Sequence, residues 1–415
     1  MTVGAAAQCR RLLACVGCNN AAASRLIQLS WQRAIALLIL VICMTFENIT
    51  QPNSPSRIQY LDGLRGVAIF LVIFYHAFSR WHSIVPYGDE LRYFPLFHYG
   101  RFGVQLFFMI SGFVIFMSLE RSKNFPEFMI RRWIRLFPAM LICSLIIYST
   151  TSFFYERPAG IPEISALLPG LTFIEPYWWQ LILGSPVGEL EGAFWSLYVE
   201  IKLYLVAGIF YFLIGGQRMI WVMIGLFLVA AIVLFLGPVF QEHGWHQAKQ
   251  LLNAFSGRPC GWFAAGALFY RHFNEKKQWL LVAAIITAVA AALVEGKAGR
   301  GEMLYEWRPA LAATVVALIF MVAALNQKVQ KVLANKLLLT IGFISYPLYL
   351  LHENMMVSLI IKSGHLLPWV PPILMPVIPI TIVIGIAYLV ARYFEPPIRS
   401  FLKALHLKLQ ARGWG

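Results

Sequence analysis

The stretch Tyr60-Leu-Asp62-Gly-Leu-Arg65-Gly-Val-Ala-Ile-Phe-Leu-Val-Ile-Phe-Tyr75-His76 decides how the rest of the chain is read. Between Val67 and Phe74 it is unbroken apolar sequence, with ionisable groups on both flanks. A hydrocarbon core about 30 Å thick needs about 20 largely apolar residues in a helix, and residues 61 to 81 form a segment of that length. Ionisable groups inside such a segment are costly, so each is a functional candidate by default. At about 100° per residue, the step from Arg65 to His76 returns almost to the same helical face, and Asp62 shares it. The rise over that step is about 16 Å, roughly half the hydrocarbon thickness. One stripe therefore carries a carboxylate and a guanidinium near one edge and an imidazole much deeper. Imidazole suits proton abstraction near neutral pH, since its unperturbed pKa is about 6.5. The competing reading is structural: Asp62 and Arg65 pair within the helix, and His76 snorkels to the far interface.

Composition places this stretch in lipid. The chain has 415 residues, 59% hydrophobic and only 13% charged, with a net charge of +15. Soluble domains carry about twice that charged share, and disordered chains need low hydrophobicity, so both classes are excluded. A mean hydropathy of +0.68 agrees, and the pI of 9.7 is then read as basic loops that set membrane orientation rather than as a nucleic-acid surface. By the same length rule about ten segments qualify as spans. They run roughly over 61–81, 99–119, 133–153, 194–214, 219–239, 259–271, 279–294, 309–325, 338–361 and 373–394.

If the chain before residue 61 is cytoplasmic, Arg121, Lys123, Arg218, Lys276, Lys331 and the basic tail after residue 394 all fall on one side. The opposite loops, above all 154–193, are longer and hold Glu156, Glu163, Glu175, Glu189 and Glu191 against few cations. The positive-inside rule then puts both termini in the cytoplasm. The expected fold is all-α: a multi-span integral membrane helical bundle of about ten transmembrane helices. Residues 1–56 read as an N-terminal extension whose short apolar stretch, 34–44, suits a signal-anchor, an interfacial helix or a leader. A membrane domain is expected over 57–400 and a basic tail over 401–415.

Three further polar groups interrupt apolar sequence. Arg132 and Arg135 are three apart on one helical face, a spacing that suits bidentate binding of phosphate oxygens or contact with lipid phosphates. Ser196, Glu200 and Tyr204 recur every four residues, so a carboxylate sits among aromatic rings, where it can orient a sugar or a histidine or lock two helices together. Ser345 and His352 are nearly eclipsed but too far apart along one helix to form a hydrolase pair. The six cysteines form no disulfide framework, and Cys15-x-x-Cys18 has no second pair behind it. His243 and His246 lack a third ligand, so no metal is expected. Tyr177, Trp178 and Trp179 suit either stacking on sugar rings or an interfacial belt.

Taken in order, these segments resemble the acyltransferase-3 family of integral-membrane O-acyltransferases, from about residue 57 to 400. Asp62-Gly-Leu-Arg65-Gly through His76 resembles the family's Arg-to-His first-helix motif. Gly103-Val-Gln-Leu-Phe-Phe-Met-Ile-Ser111-Gly112-Phe113 resembles its second-helix motif, with Gln105 where an acid is more usual. Arg132-Trp-Ile-Arg135, Trp195-Ser-Leu-Tyr-Val-Glu200, Ser345 through His352 and Phe394-Glu395-Pro396 match the later motifs.

The resemblance implies transfer of an acyl group, usually acetyl, from cytoplasmic acyl-CoA to a hydroxyl of a cell-surface or exported carbohydrate or glycolipid. It implies His76 as general base, Glu200 as a second catalytic candidate, and Arg65, Arg132 and Arg135 as holders of the CoA phosphates. Asp62, Ser111, Trp195, Ser345 and His352 would support them. Acyl-CoA would be a co-substrate, with no bound cofactor and no nucleic-acid partner, in the inner or plasma membrane. The chain is expected to act without an added soluble catalytic domain. Gln105 would deprive His76 of one possible carboxylate partner. The rival class is a transporter or flippase that uses the polar stripe as a pathway; the absence of a visible internal repeat disfavours it.

Overall fold

The computed structural model describes residues 58–236, 243–297 and 305–411. The expectations for residues 1–56, for the side chains of His243 and His246 and for the last residues of the tail lie outside the described residues.

Labelling helices of twelve residues or more in chain order gives α1 Gln59–Tyr75, α2 Gly103–Glu120, α3 Phe125–Ser149, α4 Trp195–Ile214, α5 Gly216–Leu236 and α6 His243–Ala254. They continue with α7 Gly257–Glu275, α8 Gln278–Val294, α9 Trp307–Leu325, α10 Lys336–Leu351, α11 Asn354–Leu366, α12 Val377–Leu389 and α13 Glu395–Ala411. No strand occurs among the described residues. In lipid this follows from the backbone, whose polar groups must all be satisfied internally.

Six helical stretches among the described residues are long and apolar enough to cross a bilayer: 59–80, 95–120, 192–214, 216–236, 307–325 and 377–411. The short helix Gln327–Leu333 and α10, bent by 69° at their junction, make a seventh if they form one span. The protein is thus a multi-span helical membrane protein.

Lipid tails are as apolar as leucine, so helices in a bilayer associate by close packing, and small residues allow that approach. Motif glycines and their counterparts on the facing helices do this here. A Cβ on Gly112 of α2 would lie 2.0 Å from the Phe263 carbonyl oxygen of α7, and one on Gly266 of α7 would lie 1.9 Å from the Met109 oxygen of α2. The two backbones are therefore in contact from both sides. The same relation joins α1 to α10: a Cβ on Gly342 would meet the Asp62 oxygen at 1.9 Å, and one on Gly66 would meet the Leu338 oxygen at 2.7 Å. These contacts fix the depth of α1, and with it the depths of Arg65 and His76.

Several boundaries differ from the sequence reading. The helix expected as the third span begins at Phe125, so Arg131 and Arg132 stand on α3 and not in the preceding loop. Asn124 causes this: its side chain accepts the Glu127 N–H at 2.9 Å, while Glu127 accepts the Lys123 N–H at 2.7 Å. The expected single segment 338–361 is broken, since α10 ends at Leu351 and α11 starts at Asn354. Past residue 394 the chain stays helical to Ala411.

Candidate active site

At His76 the first helix changes form. Residues His76–Arg80 make a π-helical turn, a wide form that recurs at functional sites. The His76 Nδ1 lies 2.9 Å from the Val72 carbonyl oxygen and 3.2 Å from Nε2 of His352. The Nδ1 of His352 lies 2.7 Å from the Tyr349 carbonyl oxygen. Carbonyl oxygens only accept, so both Nδ1 atoms are assigned the proton, and the His76 N–H is shared between Val72 and His352. That tautomer leaves the lone pair of His76 on Nε2.

A carboxylate faces this nitrogen. Glu353 Oε1 is 3.6 Å from His76 Nε2 and accepts the Trp81 indole N–H at 3.2 Å. Its other oxygen is buried with no hydrogen-bond partner among the described residues. Gly192 makes room for that oxygen, since a Cβ there would approach it to 3.0 Å. The break between α10 and α11 places the group, because it carries His352 and Glu353 together in the turn. His76 and Glu353 line a cavity of about 720 Å³, with Gln105, Trp195, Trp262 and Glu295 on its walls.

The second cluster sits along α1 at Arg65. Its guanidinium donates to Asp62 at 2.8 Å, as the three-residue spacing allows. Arg132 is buried, with its guanidinium 5.9 Å from the Phe128 ring and 6.0 Å from the Tyr204 ring. Its Nε has no hydrogen-bond partner among the described residues. Arg135 is exposed, and its carbonyl oxygen accepts from Arg399 at 3.3 Å. Glu200 belongs to this cluster. It accepts from Ser111 at 2.5 Å and from the Tyr204 hydroxyl, and both Arg65 and Arg132 lie within range of its charge.

The structure thus brings together His76 and His352 at one depth, and Arg65, Arg132, Glu200 and Ser111 at the other. It does not bring Glu200 to His76; the carboxylate beside the histidine is Glu353. The sequence signal for Glu353 was its place next to His352 in a segment weakened by Pro347. Trp195 is exposed on the cavity wall, whereas the Ser345 hydroxyl donates to Gly342 of its own helix at 2.8 Å and stands apart from both clusters. Gln105 does not touch His76; its amide N–H donates to Glu295 at 3.2 Å. Tyr177, Trp178 and Trp179 are absent from the cavity lining, and the Trp179 indole is spent on Thr172 at 3.0 Å. Lys202, two residues from Glu200, pairs instead with Glu175 at 2.5 Å. Among the described residues no group of histidine, cysteine or acidic side chains is placed to hold a metal ion.

Arg65, at the arginine cluster, and His76, at the cavity, are thus separated along one helix of a multi-span membrane bundle. The model of the acyltransferase-3 family, described as an acyltransferase domain, matches residues 58–392, and the chain belongs to that family. Among its relatives are the peptidoglycan O-acetyltransferase OatA of Listeria monocytogenes, 29% identical over 38% of this chain and 24% of that protein, and the O-acetyltransferase OatA of Staphylococcus aureus, 28% identical over 39% of this chain and 26% of that protein. An O-acetyl transferase of Shigella phage Sf6 is 27% identical over 36% of this chain and 44% of its own length. The matched region thus spans about a quarter of the length of the OatA proteins. No solved structure matches.

Proposed function

We propose that the protein is an integral-membrane O-acyltransferase that moves an acyl group, most simply acetyl, from acyl-CoA at the cytoplasmic face to a hydroxyl of a cell-surface or exported carbohydrate. The observation that carries this reading is the His76 nitrogen, with its lone pair unspent, facing a cavity while the arginine cluster lies about 16 Å further down the same helix. Arg65, Arg132 and Arg135 would hold the CoA phosphates, a role that suits guanidinium groups. The pantetheine arm would then carry the thioester toward His76. About ten spans, with both termini cytoplasmic, would put the arginines on the side where acyl-CoA is made.

In the reaction, Nε2 of His76 takes the acceptor hydroxyl proton as that oxygen attacks the thioester carbonyl. The C–S bond breaks, and the CoA sulfur leaves and receives the proton back from the imidazolium. Glu353, 3.6 Å from Nε2, stabilises the imidazolium while it exists. Neither step needs a metal or a redox partner.

The test is reconstitution of the purified protein with radiolabelled acetyl-CoA and a membrane glycan fraction. General-base catalysis contributes typically 10²–10⁴-fold, so His76→Ala should lower label transfer by about that factor. Transfer at the wild-type rate by the variant would overturn the assignment.

A further inference from the structure

Glu295 is the last acid one would place for stability alone. It caps the C-terminal end of α8, where the helix dipole is already negative and disfavours a carboxylate. Its Oε1 accepts two neutral donors, the Gln105 amide at 3.2 Å and the Trp262 indole N–H at 3.2 Å. A glutamine at this position would accept both bonds equally well, so satisfying Trp262 does not account for the charge. Arg101 and Arg258 line the same cavity, and neither makes an ion pair with Glu295. The second carboxylate oxygen has no hydrogen-bond partner among the described residues, and Oε1 of Gln105 is buried without one.

A carboxylate with one oxygen fixed by two N–H donors and the other left without a donor among the described residues therefore stands on the wall of the cavity that holds His76. The exposed indole of Trp195 lines the same cavity. Acceptor-only oxygens recognise hydroxyl donors, and an aromatic ring recognises the apolar face of a sugar. We propose that Glu295, held in place by the Gln105 amide, forms the acceptor subsite, its free oxygen binding a hydroxyl of a neutral sugar ring while another hydroxyl of that sugar is presented to His76. This deepens the acyl-transfer reading and rests on it only for the last clause.

Gln105 and Glu295 also form a matched pair. An acid at position 105 would face the Glu295 carboxylate across a hydrogen-bond distance and push it away, whereas exchanging the two residues would restore one charge and one amide. Four proteins in lipid nanodiscs test this: wild type, Glu295→Gln, Gln105→Glu and the double variant. Saturation-transfer NMR would measure binding to two probes, a lysozyme digest of peptidoglycan and a de-O-acetylated O-polysaccharide. Transfer from labelled acetyl-CoA would be measured in parallel.

Hydrogen bonds to charged groups are worth about 1.5–3 kcal/mol, so each single variant should weaken binding of the preferred glycan roughly tenfold or more, and the double variant should regain most of it. The KM for glycan should rise with acetyl-CoA binding unchanged. Equal glycan binding by wild type and Glu295→Gln would overturn the proposal, as would the absence of binding to either probe by wild type. Glycan binding with the expected pattern but no acetyl transfer by wild type would remove the acyl-transfer reading and leave the hydroxyl subsite standing.

Discussion

His76 owes its chemistry to three neighbours, of which only the Val72 carbonyl, four residues back, is local in sequence. The Val72 carbonyl and His352 hold one ring nitrogen, and Glu353 faces the other. The stripe from Arg65 to His76 was legible because both residues sit on one helix, where 3.6 residues per turn determines which side chains share a face. Glu353 was not legible in the same way, since periodicity says nothing about which distant turn will meet a given face. Glu200 drew attention as a carboxylate among aromatic rings, and in the structure it accepts from the hydroxyls of Ser111 and Tyr204, near Arg65 and Arg132 and away from His76. A prediction follows for Glu353 as a positioning residue. Glu353→Gln keeps an acceptor for the Trp81 indole but removes the charge that stabilises the imidazolium. It should lower kcat by roughly 10–100-fold, leave acetyl-CoA binding unchanged and be partly rescued by Glu353→Asp. A rise in KM for acetyl-CoA with unchanged kcat would show that Glu353 acts elsewhere.

At the scale of helices, position is set by contact between backbones. The glycines were visible in the sequence, but their purpose was not, because a glycine in an apolar helix carries no sign of which partner it admits. Gly112 and Gly266 show it, each touching the opposite backbone across the α2–α7 contact. Gly266→Leu cannot be relieved by a side-chain rotation, since the obstacle to its Cβ is the Met109 carbonyl oxygen at 1.9 Å. Overpacking of this kind costs typically about 1–3 kcal/mol, and a backbone obstacle belongs at the upper end. The variant should therefore unfold at clearly lower temperature in nanodiscs. Gly225→Leu on α5, where nothing lies within 4 Å, should unfold as the wild type does. Equal losses at both positions would mean that the α2–α7 approach is not what the glycine provides. The break between α10 and α11 falls on the polar run His352-Glu353-Asn354, but the apolar stretches on either side of it read as one span, and the proline inside the segment, Pro347, lies before the turn that actually opens.

Across the whole molecule the two ends of the bundle differ in chemistry. At one end the Tyr270 hydroxyl donates to Glu120 at 2.5 Å, Arg131 donates to the Arg121 carbonyl at 3.1 Å, and Arg399 reaches Arg135, so the basic ends of α2, α3, α7 and α13 converge. At the other end the 154–193 loop is tied down. Lys362 pairs with Glu156 at 2.9 Å, the Ala159 N–H donates to Asn354 at 3.1 Å, and Arg157 reaches the Leu190 carbonyl. The charge bias that separates these ends was readable from composition and loop order, because orientation depends on where Lys and Arg fall and not on how helices pack. The cavity opens among residues of the second end, so the proposed reaction requires that end to face away from the cytoplasm. Alkaline phosphatase inserted in the 154–193 loop should be active, and a fluorescent protein inserted between Lys276 and Lys277 should fold and emit. The reverse pattern would place the arginine cluster outside. It would leave the phosphate-bearing donor no access to Arg65 and Arg132 from the compartment that supplies it, and the proposed direction of transfer would fall with it.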